Sequence, residues 1–218
     1  EAVLTNEEKE LGCIIADMGG GTTDLALFKE NNLKYIHELT LGGHNLTNDI
    51  SIGLRTPLPE AEKIKIEHGT CQPPRAGNVA TIDVPAVGGR APKKLPRNIL
   101  AEILEPRMEE IFSLLKQELH ANGLENVYPA GFVLTGGSVV MDGIVETAES
   151  VFNVPVRMGE PDRIGGLKDI VKNPAYASAV GLVIFGSSAS CQMDFKDMES
   201  RGISGLLNRM KQWFNDII

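Results

Sequence analysis

The sequence predicts an α/β fold that begins with a β-hairpin. An apolar run at residues 11–16 leads into three consecutive glycines, and an alternating apolar segment at residues 25–28 follows them. This is the pattern of two strands joined by a glycine turn. Further along, an amphipathic segment from Asn98 to Ala121 predicts the longest helix, and the apolar run from Gly131 to Thr135 predicts a buried strand. Strands and helices in this order favour layered α/β packing.

The other elements follow from hydrophobic periodicity and from the positions of glycine and proline. Thr56 is expected to cap a helix that Gly69 stops, and Pro106 is expected to bend the longest helix. The predicted elements are, in order, a strand at 33–39 after an Asn31–Asn32 turn, helices at 45–54 and 57–68, a short strand at 79–84 in a segment that is mostly loop, a helix at 144–152, a strand at 154–158 and a helix at 173–185.

Composition narrows the class of protein. The chain has 218 residues, is 42% apolar and carries a net charge of −8, which argues against general nucleic-acid binding. Cys13, Cys71 and Cys191 are too widely spaced to suggest a disulfide framework or a zinc site, so we expect a reducing cytosol. There is no signal peptide and no apolar run of about 18 residues. Because residue 1 is not methionine, we expect the later part of a longer protein.

Residues 17–24 predict a phosphate-binding loop. Glycines allow backbone N–H groups to approach an anion, and threonine hydroxyls donate to phosphate oxygens. Asp17, at the end of the first strand, can hold a hydrated Mg²⁺. The alternative is a tight glycine hairpin with two solvated aspartates. The residues expected to contact the phosphates are Asp17, Gly19, Gly20, Gly21, Thr22 and Thr23.

This loop resembles the second phosphate loop of the actin, Hsp70 and hexokinase superfamily of ATP-binding proteins. Three further segments are similar to that superfamily in order and spacing. Glu62 and Lys65 resemble its Glu-x-x-Lys helix, in which the acid contacts ribose and the lysine stem lies along adenine. Gly136, Gly137 and Ser138 resemble its adenosine loop, and residues 173–181 resemble its second connecting helix. Taken singly, the first two of these segments also fit an ordinary surface helix and an ordinary strand-to-helix turn.

Within the superfamily, the chain resembles the FtsA family of bacterial cell-division proteins over nearly its whole length. The matching stretches include residues 2–12, 42–58, 100–107 and 173–181. The resemblance implies the second half of a ribonuclease H-like, actin-type ATPase fold: subdomain 2A at residues 1–43 and 128–186, with subdomain 2B inserted at 44–127. It also implies ATP and Mg²⁺ as ligands and self-association into actin-like filaments. Ser138 departs from the family, which usually has a third glycine there.

The end of the chain predicts a membrane-targeting helix. A polar segment at residues 187–202 has the composition of a flexible linker. After it, apolar residues recur on one face of a predicted helix at 203–218. The alternative is a helix docked on the core of its own domain. The apolar residues are Ile203, Leu206, Leu207, Met210, Trp213, Phe214 and Ile217.

A basic run interrupts this acidic chain. Arg90, Lys93, Lys94 and Arg97 lie in a stretch from Val84 to Ala101 that contains no acid. The simplest interpretation is a solvated loop. The family resemblance instead implies that subdomain 2B receives the acidic C-terminal peptide of FtsZ at Lys93, Lys94 and Arg97, with Arg97 pairing with an acid on that peptide.

Together these inferences predict an actin-like, ATP-binding cell-division protein that anchors FtsZ filaments to the cytoplasmic face of the membrane and helps to assemble the septum. Any ATPase activity is expected to be weak, and no catalytic residue is assigned. The alternatives are an MreB-like cell-shape protein and a sugar- or acetate-kinase-type enzyme of the same superfamily. A linked amphipathic helix at the end of the chain favours the first interpretation over both alternatives.

Overall fold

The computed structural model describes residues 2–72, 80–162 and 171–187. Its main sheet has five strands: β1 (Cys13–Met18), β2 (Thr23–Lys29), β3 (Asn32–Leu39), β6 (Phe132–Thr135) and β7 (Val156–Met158). They lie in the order β3-β2-β1-β6-β7. The first three strands are antiparallel, whereas β6 and β7 run parallel to β1. The predicted α/β fold with an initial β-hairpin is therefore confirmed.

Helices and a small second sheet complete the described structure. The helices are α1 (Asn6–Leu11), α2 (Gly43–Leu54), α3 (Leu58–His68), α4 (Asn98–Ala121), α5 (Ile144–Phe152) and α6 (Ala177–Ser187), with 3₁₀ turns at Gly137–Val140 and Pro174–Tyr176. Strands β4 (Thr81–Val84) and β5 (Lys93–Pro96) form the antiparallel second sheet.

The main core lies between the five-stranded sheet and the helices α2, α4 and α5. Phe112 of α4, Phe132 of β6 and Phe152 of α5 pack edge to face, with ring centroids 4.5–6.3 Å apart. Cys13 and Cys71 are free and buried. Burial raises the pKa of the Cys13 thiol to about 11 and that of Cys71 to about 12, so both behave as small apolar side chains.

Several predicted boundaries agree with the structure and others do not. The bounds of α4 and α5 match the predictions, and α4 continues through Pro106. The expectation that Thr56 caps α3 was wrong: Pro57 is the N-cap, and the buried Thr56 hydroxyl has no hydrogen-bond partner among the described residues. Helix α1 and strand β5 were not predicted. A Thr5–Glu8 capping box marks the start of α1 and was the available sequence signal.

The predictions for the end of the chain lie outside the described residues. They concern the linker beyond Ser187 and the helix at 203–218, including all seven of its apolar residues. Within residues 2–72, 80–162 and 171–187, no helix combines the length and the apolar character needed to cross a bilayer.

Candidate functional site

The glycine hairpin at the end of β1 and β2 presents bare backbone. The strand ladder ends with the pairs Asp17–Asp24 and Met18–Thr23. The turn is closed by a hydrogen bond of 2.9 Å from the Gly19 amide to the Thr22 carbonyl. Gly20 and Gly21 are exposed, and a Cβ added at Gly21 would meet no atom within 4 Å. The tip is therefore open to an anion on the side of Gly21.

The carbonyls of Gly19 and Gly20 fix this hairpin to the start of α2. Gly19 accepts from the amide of Gly43 at 3.0 Å, and Gly20 accepts from the amide of His44 at 2.7 Å. A Cβ at Gly42 would lie only 2.8 Å from the Gly19 carbonyl oxygen, so a side chain at Gly42 would push the two segments apart. The hairpin carbonyls thus face α2.

The Gly136–Ser138 loop packs against the same end of β1. Gly136 has a φ of 100°, and a Cβ there would lie 2.4 Å from the Met18 carbonyl oxygen. This combination requires glycine. The buried Ser138 hydroxyl donates to the Gly19 carbonyl oxygen at 2.9 Å. The serine that departs from the family pattern therefore fastens this loop to the hairpin.

Glu62 and Lys65 lie on one face of α3, as their spacing predicts. The Lys65 side chain is 10% exposed, and its Nζ donates to the Gly43 carbonyl at 2.9 Å, to Thr47 Oγ1 at 2.8 Å and to Glu62 Oε2 at 2.9 Å. Burial acts to raise the pKa of Glu62, but hydrogen bonds from Lys65 and Thr47 outweigh it and the pKa lies below its ordinary value. All three ammonium protons are used within the protein, so only the lysine stem is available to a ligand.

A cleft of ≈ 450 Å³ separates α3 from the Gly136–Ser138 loop. Its lining residues include Lys65, Gly69, Gly137, Ser138 and Ala175, together with the ion pair Arg97 and Asp142. Of the predicted site residues, Lys65, Gly137 and Ser138 line this cleft, whereas Asp17 lines a separate cavity of ≈ 320 Å³ with Ser178. The hairpin adjoins the cleft through the hydrogen bonds to its Gly19 carbonyl.

The positions of two hydroxyl groups differ from what the sequence predicts. Thr23 is fully buried and donates to the Leu41 carbonyl at 2.8 Å, so its hydroxyl is not exposed to a phosphate. Ser178, which sequence reasoning did not single out, donates to Asp17 Oδ2. The small-residue segment at 173–181 was the only signal for it. Thr22 remains partly exposed at the hairpin.

Arg97 is not free to bind a partner in the way that the sequence suggested. Its Nε donates to the His68 carbonyl at 2.7 Å, and its Nη2 donates to the Gly69 carbonyl at 3.2 Å and to Asp142 Oδ2 at 2.6 Å. Asp142, which is distant in sequence but adjacent in the fold, therefore supplies an acid to Arg97 within the chain. Lys93 and Lys94, on β5, are exposed.

Sequence comparison relates the chain to one family of known proteins. The family model described as "Cell division protein FtsA" matches residues 14–181. Among curated proteins, the chain is 44% identical to cell division protein FtsA of Pseudomonas aeruginosa, over 97% of the chain and 52% of the relative. It is 40% identical to that of Neisseria meningitidis, over 99% of the chain and 53% of the relative. The chain thus spans about half the length of the curated relatives it matches.

Solved structures show the fold class. MreB5 of Spiroplasma citri bound to ADP is similar with a TM-score of 0.69 and 20% identity, over 87% of this chain and 57% of that protein. The same protein bound to AMPPNP is similar with a TM-score of 0.66 and 21% identity, over 90% of this chain and 57% of that protein. The MamK double helical filament is similar with a TM-score of 0.53 and 16% identity, over 77% of this chain and 54% of that protein. These likenesses identify an actin-like fold.

Proposed function

The chain belongs to the FtsA family of cell division proteins, and from this premise we propose that it forms one wall of a Mg²⁺·ATP site in an actin-like protein that links FtsZ filaments to the membrane. The observation that carries the proposal is a set of hydrogen bonds that joins the hairpin, the Gly136–Ser138 loop and α3: Ser138 and the Gly43 amide both donate to the Gly19 carbonyl, and Lys65 donates to the Gly43 carbonyl. Lys65, Gly137 and Ser138 also line one cleft beside these bonds. The MreB5 structures bound to ADP and AMPPNP support a nucleotide as the ligand of this fold.

Each segment has a distinct task in the proposed site. Amides at Gly20 and Gly21, with the Thr22 hydroxyl, face the phosphates, and Gly19 fixes the turn. Asp17 holds a hydrated Mg²⁺, which offsets phosphate charge. Among the described residues, no three His, Cys, Asp or Glu side chains converge. Gly136 and Gly137 admit the adenosine, Glu62 contacts ribose and the Lys65 stem lies along adenine. ATP organises domain closure and filament contacts in this proposal.

The experiment is a calorimetric titration of Mg²⁺·ATP into full-length protein carrying Asp17→Asn, which removes the charge and keeps the shape. We expect Mg²⁺-dependent affinity to fall by at least about tenfold. The control is Asp24→Asn, which neutralises the exposed partner of Asp17 on β2 and is expected to bind like wild type. Unchanged Mg²⁺·ATP affinity in Asp17→Asn would contradict the proposed site.

We also propose that the β4–β5 sheet binds the acidic C-terminal peptide of FtsZ through Lys93 and Lys94. Both lysines are exposed on β5, and charge complementarity favours an acidic peptide. Arg97 supports this surface only indirectly, since it ties β5 to the end of α3 and to Asp142.

The proposed membrane contact is the amphipathic segment at 203–218, acting on the cytoplasmic face of the cell membrane at the division site. Seven apolar side chains on one predicted face, with few charges, favour reversible binding. Self-association would increase the avidity of such weak anchors, and the likeness to the MamK filament supports self-association. A cell-division role is therefore proposed as structural rather than enzymatic.

An MreB-like role is the alternative that the fold alone would allow. The MreB5 likeness rests on 20–21% identity and supports the fold only, whereas the two curated relatives at 40–44% identity are FtsA proteins. No described residue specifically supports a kinase-type enzyme of the same superfamily.

A further inference from the structure

The turn that leads into α6 is fixed to the end of β6. Asn173 accepts from the Ala175 amide at 2.9 Å, which caps the 3₁₀ turn. The Pro174 carbonyl accepts from the Gly136 amide at 3.2 Å and from Thr135 Oγ1 at 3.4 Å. The first residues of α6 are therefore held beside the proposed nucleotide loop before the helix begins.

Packing of α6 determines which of its residues faces Asp17. Ala177 and Val180 are buried in a cluster with Cys13 and Val133, so their side of the helix faces the sheet. Ser178, between them, is exposed and donates its hydroxyl proton to Asp17 Oδ2. A helix whose contacts with the sheet are fixed in this way presents the serine at a defined place.

The Asp17 carboxylate is confined from both sides. Its Oδ1 lies 2.5 Å from where a Cβ of Gly136 would be, so the loop leaves no room for a larger residue there. Its Oδ2 is held by Ser178. A carboxylate oxygen can accept more than one hydrogen bond, so the bond from Ser178 still leaves acceptor capacity for waters around a cation.

We propose that Ser178 is a positioning residue, which orients the Asp17 carboxylate for a hydrated divalent cation and links cation binding to α6. The inference rests on the proposed Mg²⁺·nucleotide site. Partners of this kind fix the direction of a metal-binding carboxylate, and their loss typically weakens metal affinity about 10- to 100-fold. Because Asp17 would act through water, we expect a loss near the lower end, about tenfold.

The test compares nucleotide affinity with Mg²⁺ and with EDTA in full-length protein, using a fluorescent ATP analogue. Ser178→Ala is expected to weaken binding about tenfold with Mg²⁺ and to leave binding in EDTA unchanged. Ser178→Thr keeps the hydroxyl and is expected to restore the Mg²⁺ effect. The matched control is Ser187→Ala in the same helix, where the hydroxyl donates to the Ile184 carbonyl at 2.8 Å and where no effect is expected.

Two results would overturn the role of Ser178: wild-type affinity of Ser178→Ala in Mg²⁺, or an equal loss in Mg²⁺ and EDTA, which indicates a general structural defect. Thermal unfolding of each variant identifies such a defect independently. If the wild-type protein itself binds the analogue without any Mg²⁺ effect, the Asp17 assignment fails and the role of Ser178 fails with it. If only the proposed role of Ser178 is wrong, the wild-type protein still binds the analogue in a Mg²⁺-dependent way, and the two failures can be distinguished.

Discussion

Lys65 has a structural role in addition to the one that its sequence motif suggests. The Glu-x-x-Lys spacing correctly places Glu62 and Lys65 on one face of α3, but it says nothing about what the ammonium contacts. In the fold, that ammonium bonds to the Gly43 carbonyl and to Thr47 of α2 as well as to Glu62. Lys65 therefore joins α3 to the helix that supports the hairpin, besides offering its stem to a ligand.

The buried position of Lys65 leads to a stability prediction. Lys65→Met keeps the apolar stem but removes three hydrogen bonds, and we expect it to lower the free energy of unfolding by about 1–3 kcal/mol. The control is Lys63→Met, which loses only an exposed pair with Glu60 and should change stability by about 0.5 kcal/mol or less. Urea unfolding followed by circular dichroism measures both. Equal stability of the two variants would show that the Lys65 contacts contribute little.

At the scale of elements, local patterns predicted most helices and strands, whereas their contacts required the fold. Periodicity is strong in α4 and α5, so their bounds were predicted from sequence. Strand β5 was missed because Lys93–Pro96 has little apolar character and forms a strand by pairing with β4. The contact between Arg97 and Asp142 was not predicted because the two residues are 45 positions apart in the sequence. The contact between Ser178 and Asp17 was not predicted for the same reason, since they are 161 positions apart.

Helix α1 illustrates how a short element is held by few contacts. Glu8 accepts from the Thr5 amide at 2.8 Å and binds Arg157 of β7 through two hydrogen bonds of 2.6 and 2.7 Å. Burial acts to raise the pKa of Glu8, but the contacts with Arg157 and Thr5 outweigh it and the pKa is lowered. The ionised carboxylate is therefore the form that stabilises the fold.

We expect Glu8→Gln to lower the free energy of unfolding by about 1–3 kcal/mol at pH 7. Because the folded pKa of Glu8 lies below its ordinary value of 4.5, its contribution is fully present above that ordinary value and is lost as pH falls through the lowered folded pKa. The difference between wild type and Glu8→Gln should therefore shrink on acidification. Glu10→Gln, at an exposed position of the same helix, is the control. A difference that grows as the pH falls would contradict the assignment.

Strand β5 carries the prediction for partner binding. Reversing both exposed charges, Lys93→Glu with Lys94→Glu, should weaken binding of an acidic FtsZ tail peptide by about tenfold or more at low salt. The control is Lys34→Glu on β3, which reverses one lysine on the other sheet. Fluorescence anisotropy with labelled peptide measures each affinity. Affinity equal to wild type in the double variant would remove the β4–β5 sheet as the binding surface.

At the scale of the whole molecule, resemblance to a known family was sufficient to predict the actin-like fold, whereas its nucleotide contacts stay predictions. Glycines and small residues mark places where backbone must approach closely, so the hairpin and the Gly136–Gly137 loop were recognisable. Hydrogen bonds between distant parts of the chain were not recognisable from the sequence. The bond from the Ser138 hydroxyl to the Gly19 carbonyl, for example, depends on how α2, β1 and β6 pack together. The same limit explains why Thr23 was expected at the site although its hydroxyl bonds to Leu41.

The predicted membrane segment is also tested in the whole molecule. Removing residues 203–218 from full-length protein should abolish co-sedimentation with anionic liposomes and leave the melting temperature unchanged, because the apolar face is expected to bind lipid. Replacing Trp213 and Phe214 with Glu should have the same effect. A lower melting temperature with liposome binding intact would instead indicate a helix docked on its own domain.

The proposed site requires that the hairpin, α3 and the Gly136–Ser138 loop contact the same nucleotide as parts of one wall. Amide hydrogen exchange of the full-length protein, with and without saturating Mg²⁺·ATP, tests this directly because it reports position by position. We expect slower exchange in peptides covering residues 17–23, 61–69 and 135–142 together. Nucleotide binding detected in the same sample without protection in these three peptides would contradict it.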